Sequence, residues 1–266
     1  MTKIRQHWAF MISLLFVVGL SLSLVLGSCT STRSPYSTAK ADNSPSTSTK
    51  VVRIGHQPQG AFLYLKARGN LEKRLAPMGF SIEWQEFPAS FPLLTAMGEG
   101  KIDLGHGGII PPILAQANNV PFVYVANDST LPGTIGILVR KDSSIQTLSD
   151  LKGRKIAATK ASTGQYLLVQ ALIKAGLTLK DVEFIDLPPA EGQLAFKQGK
   201  VDAWVGWHPF LAKLQESMPV RLLTNGEGLL NDRNFYFAAS SFANDHDDII
   251  KIVMEEIRQI GIWATN

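Results

Sequence analysis

Three histidines (His56, His106 and His208) and four small or polar clusters carry the side chains with chemical potential in this 266-residue chain. The clusters are Ser90, Gly107-Gly108, Ser162-Thr163-Gly164 and Trp207-His208-Pro209, each between a short apolar run and a helical pattern. Backbone N–H groups at a helix start are unpaired and sit at the positive end of the helix dipole. Hydroxyls and glycine-exposed amides beside them can hold an anion without a full-charge side chain. Each start taken alone is better read as ordinary capping, and it is the four together that make anion binding an equal reading. If their loops converge, the imidazoles could donate hydrogen bonds to an anion or ligate a metal. Each could equally be a solvated or locally bonded loop residue.

Other chemistries lack their partners. No HxxH, HxxxH or Cys/His spacing and no carboxylate pair accompanies the histidines, so neither a metal site nor a cofactor is expected. His106-Gly107-Gly108 is like an esterase oxyanion-hole loop, but the GxSxG nucleophile turn is missing. Phosphate-binding GxxxxGK[ST] and dinucleotide-binding GxGxxG patterns are absent too. A binding protein, not an enzyme, is the expectation. Trp84 and Trp204 fall in strand patterns that suit core packing, whereas Trp207, one step into a loop, is placed in the cleft.

The elements that must position these residues include a near-repeat. Gly100-Lys101-Ile102-Asp103-Leu104-Gly105-His106 runs into Pro111-Pro112, and Gly199-Lys200-Val201-Asp202-Ala203-Trp204 runs through Gly206-Trp207-His208 into Pro209. Both read as helix, glycine stop, short strand, small-residue loop, then a helix with proline in its first turn. A unit used twice predicts two similar α/β lobes, with ligand held at the strand carboxyl ends between them. Strands are expected near 51–55, 80–87, 121–126, 134–139, 155–158, 182–185, 221–223 and 235–240. Helices are expected at 61–75, from an N-cap at Ser90, up to Asn118, at 147–153 and 165–174, from Pro189, and at 247–263. The alternation predicts a mostly parallel sheet. Lobe one is read as 51–131 plus 235–266 and lobe two as 133–233, joined by two hinge crossings.

Residues 1–28 pair Lys3 and Arg5 with an uncharged run from Trp8 to Ser28, the pattern of a secretory signal peptide. The run is also long enough to span a bilayer. Leu26-Gly27-Ser28-Cys29 resembles the bacterial lipobox, so Cys29, the single cysteine, is expected to carry lipid and anchor the exported chain. No disulfide framework is then available. Residues 29–50, rich in Ser, Thr and Pro, are expected to form a flexible spacer. Without Lys3 and Arg5, 24 of the 26 Lys+Arg remain against 22 Asp+Glu, nearly neutral, and nothing suggests nucleic-acid binding.

From Val51 to Trp263 the chain resembles the substrate-binding lipoproteins and periplasmic proteins of ABC importers for aliphatic sulfonates, with taurine and nitrate relatives. The resemblance rests on Ile54-Gly55-His56-Gln57, Leu65-Lys66-Ala67-Arg68-Gly69, Glu83-Trp84 through Phe87-Pro88-Ala89, and Lys101 to Gly105 with Pro111 to Ala117. Asp150-Leu151-Lys152-Gly153, Leu187-Pro188-Pro189-Ala190 and the stretch from Ala195-Phe196 to Pro209-Phe210 complete it. It implies an α/β, two-lobed periplasmic-binding-protein fold with two hinge crossovers (type II), closing on its ligand. It also implies a monomer delivering a small anion to a membrane permease and its ATPase, the ligand most often an alkanesulfonate. Taurine, nitrate or another small ligand is the alternative, as is an enzyme of the thiamine-pyrimidine biosynthesis type on the same fold. On this resemblance the head group lies among Gln57, Ser90, Gly107, Gly108, Ile109, Ser162 and Thr163, with Trp207 and His208 toward the alkyl group. His56, Phe91 and His208 depart from the family pattern at the cleft. The family's chains continue for several helices beyond the Trp263 region, which implies a shorter lobe one here.

Overall fold

The computed structural model describes residues 49–129 and 132–265. The signal peptide, Cys29 and nearly all of the spacer lie outside the described residues. Among the described residues, no helix is long and apolar enough to cross a membrane.

Ten strands form two five-stranded sheets. They are β1 (Lys50–His56), β2 (Phe80–Glu86), β3 (Leu104–Gly107), β4 (Phe122–Ser129), β5 (Ile135–Arg140), β6 (Lys155–Ala158), β7 (Glu183–Asp186), β8 (Ala203–Trp207), β9 (Val220–Asn225) and β10 (Arg233–Ala239). The first sheet has the order β2-β1-β3-β10-β4 and the second β7-β6-β8-β5-β9. Between them run α1 (Ala61–Arg68), α2 (Asn70–Leu75), α3 (Ser90–Gly98), α4 (Ile110–Ala117), α5 (Thr163–Lys174), α6 (Pro189–Lys197), α7 (Phe210–Ser217), α8 (Ser240–Asp245) and α9 (Asp247–Thr265).

As expected the sheets are mostly parallel in strand direction, but each contains one reversed strand that makes it mixed. β1 pairs in parallel with β2 and β3, as β6 does with β7 and β8. β10 lies antiparallel to β3 and β4, and β5 antiparallel to β8 and β9. The reversed strand in each sheet is the one the chain enters after crossing from the other sheet. It arrives from the opposite end, so no βα unit sets its direction.

Each sheet carries its own core. Phe62, Leu65, Leu93, Met97, Phe237 and Val253 cover the first. Ile137, Leu167, Leu168 and Leu172 fill one face of the second, and Phe196, Trp204 and Leu214 fill the other. Full burial of each such side chain contributes about 1.5–3 kcal/mol. Trp204 is buried, and half-buried Trp84 packs on the first core with its indole N–H donating to Glu72 Oε1 at 2.7 Å.

The near-repeat closes two helices in one way. Lys101 N donates to Ala96 O and Gly100 N to Met97 O, while Lys200 N donates to Ala195 O and Gly199 N to Phe196 O. This paired pattern needs a left-handed residue, and Gly100 (φ 72°) and Gly199 (φ 71°) supply it. The repeated aspartates then act as ladder acceptors for the neighbouring parallel strand. Asp103 Oδ2 accepts from Arg53 N at 2.8 Å, and Asp202 Oδ2 accepts from Lys155 N at 2.9 Å. Asp103 also binds the Arg53 guanidinium, with Nη2 to Oδ1 at 2.6 Å. These bonds register β3 and β8 against β1 and β6, and so aim the loops that follow them. Asp103→Ala should lower unfolding stability by about 2–3 kcal/mol, because it strands a backbone donor and a guanidinium partner. Asp202→Ala should cost about 1 kcal/mol, since its neighbourhood is more open. Denaturant titration checks both, and an Asp103 effect no larger than that of Asp202 would contradict the assignment.

Candidate functional site

A cavity of about 130 Å³ lies between the two sheets. Gln57 after β1, Gly107 and Gly108 at the end of β3, and Trp207 and His208 at the end of β8 line it. The helix starts of α1 (Gly60), α3 (Ala89, Ser90, Phe91), α4 (Pro111) and α5 (Ser162, Thr163) complete the wall, together with Thr134, Ile135, Asp232 and Asn234 from the two crossings. It is well below the roughly 300–1,000 Å³ of pockets for drug-sized ligands. Among the described residues no Lys or Arg lines it.

Three of the four helix starts are left open by their own side chains. The N-caps of α1, α3 and α4 are Gly60, Ala89 and Ile109, and none makes a side-chain capping bond. Ser90, read from sequence as the N-cap of α3, is instead its first helical residue. Its Oγ accepts from Gln57 Nε2 at 3.0 Å. Gln57 Nε2 also donates to the His106 carbonyl at 3.2 Å, pinning the β1 loop to β3. Only α5 is capped, by Ser162, whose Oγ accepts from Gln165 N at 3.2 Å and donates to Thr159 O at 2.6 Å.

The two halves meet closely at Gly108 and Thr163. A Cβ built on Gly108 would collide with Thr163 Oγ1, and one on Gly107 would stand 2.6 Å from Ser90 Oγ. Glycine at these positions therefore brings main-chain amides to hydroxyls across the cavity. Trp207, expected one step into the loop, is the last residue of β8 and lies over Gly164, whose ideal Cβ is 3.4 Å from the indole.

Of the anticipated residues, Gln57, Ser90, Gly107, Gly108, Ser162, Thr163, Trp207 and His208 come together on this wall. Ile109 is the N-cap of α4 and does not line the cavity. The three histidines separate. His208 is exposed at the rim, its N–H donating to Thr134 O at 2.9 Å. His56, expected at the cleft, is fully buried behind it, with Nδ1 3.2 Å from Gln57 O and Nε2 3.1 Å from Lys66 Nζ. His106 lines the cavity while buried, and that burial, with a smaller push from His56, pulls its pKa down to about 4. It is neutral at pH 7.

Sequence reasoning passed over Gln59, Thr134, Asp232 and Asn234. They come from the β1 loop and the crossing segments, where no repeat or helix-start pattern marks them. The one available signal was that crossings between two sheets must border the space between them.

The chain is 40% identical over 215 residues to an aliphatic sulfonates-binding protein of Escherichia coli (strain K12), covering 80% of this chain and 66% of that protein. It thus spans just under two thirds of that relative's length. Among solved structures, the periplasmic aliphatic sulphonate binding protein SsuA from Escherichia coli matches at 38% identity with a TM-score of 0.69, covering 79% of this chain and 68% of that one. The alkanesulfonate-binding protein SsuA from Xanthomonas axonopodis pv. citri, bound to MOPS, matches at 37% identity with a TM-score of 0.73, covering 79% and 72%. Both share the two-sheet periplasmic-binding-protein fold with two crossings. The NMT1/THI5-like family model matches residues 78–263, and the chain belongs to that family.

Proposed function

We propose that this protein is the substrate-binding component of an ABC importer, capturing a small anion, an aliphatic sulfonate, in the cavity between its sheets. The observation that carries the reading is the set of three helix N-termini without side-chain caps, opening on one small cavity that no Lys or Arg lines among the described residues. Oriented N–H groups and hydroxyls suit the three oxygens of a sulfonate, which needs donors and brings its own charge. Relatives named for sulfonate binding support the same ligand class.

On this reading residues 51–131 with 235–266 form one lobe and 133–233 the other, and the two crossings act as the hinge. Gln57, Ser90, Gly107, Gly108, Ser162 and Thr163 hold the head group, while Trp207 and His208 face the rest of the ligand. The chain works as a monomer outside the cytoplasm, tethered by a lipid on Cys29 after loss of residues 1–28, and hands its ligand to a permease with its ATPase. It binds and releases without chemistry.

Purified protein should gain thermal stability in millimolar ethanesulfonate. No response to alkanesulfonates, taurine or nitrate would contradict the function. Gly108→Val should weaken sulfonate binding at least about tenfold, since a side chain there blocks the approach to Thr163. Its melting temperature should stay within a few degrees of the parent, and unchanged affinity by calorimetry would remove Gly108 from the site. His208→Asp should weaken binding of a plain alkanesulfonate by roughly 1 kcal/mol, about fivefold, while sparing an amine-bearing sulfonate. An unchanged ligand ranking would place His208 outside the ligand's reach.

A further inference from the structure

We infer that His106 touches the bound ligand, its Nε2 donating to an anionic oxygen the hydrogen bond that the protein leaves unmade, and that this residue helps set which anions the cavity holds. This rests on the proposed role of the cavity.

His106 is 6% exposed on β3 and is one of the residues lining the cavity, and its Nε2 is buried without a hydrogen-bond partner among the described residues. Leaving a buried polar atom unpaired costs about 1–3 kcal/mol, a cost that a ligand oxygen would remove. The ring is held edge-on by Phe62 and tilted against Tyr236, with centroids 5.5 and 6.2 Å away. Gly60 (φ 84°) leaves room for it, because an ideal Cβ there would stand 2.9 Å from Cε1. Packing alone does not call for an imidazole. Counting from the repeated aspartates, the equivalent residue of the second copy is Val205, buried at 1% exposure in an apolar core.

A neutral imidazole donates one directed hydrogen bond and adds no charge, so it favours a monoanion without the indiscriminate pull of Lys or Arg. An anion beside it also favours the imidazolium, raising its proton affinity by roughly one to three orders of magnitude. The free ring sits low, at a pKa of about 4. The bound ring sits higher, so between the two values binding takes up a proton and tightens as pH falls. Other groups face this ring or its cavity. They are His56 on β1, with Lys66 of α1 at its Nε2 and Glu86 of β2 4.0 Å from its Nδ1, Tyr236 on β10, and Asp232 and His208 across the space. His208 is exposed and is the competing source of any pH dependence.

Calorimetric titration with ethanesulfonate at pH 8 and pH 5 tests the inference on the full chain and on His106→Gln and His208→Gln. The parent should bind about tenfold tighter at pH 5, for a rise in the middle of the stated range. His208→Gln should keep that slope whatever its affinity. His106→Gln retains an N–H donor and should bind with affinity nearly independent of pH, and a thermal melt confirms that it folds. A flat parent profile, or a slope that survives in His106→Gln, would overturn the inference. A parent that binds no alkanesulfonate at either pH would overturn the functional reading, and the inference with it.

Discussion

Helices α1, α3 and α4 begin without a side-chain N-cap and all three begin at one cavity, though Pro92 removes one N–H from the first turn of α3, and Pro111 and Pro112 leave α4 chiefly that of Ile110. Each such start is an unmet hydrogen-bonding demand at the positive end of a helix dipole. In most helices a Ser, Thr, Asp or Asn meets it locally at a gain of about 1 kcal/mol. Here Gly60, Ala89 and Ile109 occupy the cap positions, and the hydroxyl of Ser90 is bound to Gln57. No cationic side chain stands on its described wall, which holds one carboxylate, Asp232, and on the proposed function an anion is the ligand that meets the main-chain and hydroxyl donors there.

The duplicated helix–glycine–strand unit aims the start of α4 through β3 and the Trp207-His208 end of β8, while α1 and α3 begin from the loops after β1 and β2. Gly100 and Gly199 end the preceding helices, and Asp103 and Asp202 lock the following strands to their parallel neighbours. The two copies then diverge where they reach the cavity. The first presents His106, Gly107 and Gly108, which let main chain approach the hydroxyls of Ser90 and Thr163. The second presents Trp207 and exposed His208, a broad surface with a titratable rim. Similar scaffolding thus delivers a tight polar wall on one side and an adaptable one on the other.

Much of this was legible in the sequence, because the signals were local. Glycine stops, prolines in first turns and apolar periodicity located the elements and the repeat, and the repeat located the cavity. What stayed hidden depends on distant partners. Nothing local tells that β5 and β10 run against their neighbours, since the crossings set their direction. Ser90 has the right chemistry for a cap, and only the position of Gln57 shows its hydroxyl to be engaged elsewhere. His56 and His106 follow similar strands, yet one is walled off by Lys66 and Gln57 while the other reaches the cavity. Asp232 lies in the second crossing and Asn234 is the second residue of β10, and no helix-start or repeat pattern marks either.

A crystal structure of the protein with an alkanesulfonate bound tests the central claim most directly. The predicted result has the sulfonate oxygens within about 3 Å of main-chain N–H groups near Gly108 and at the uncapped start of α3, beside the Thr163 hydroxyl. A sulfonate held instead by a lysine or arginine, or seated away from the helix starts, would contradict it.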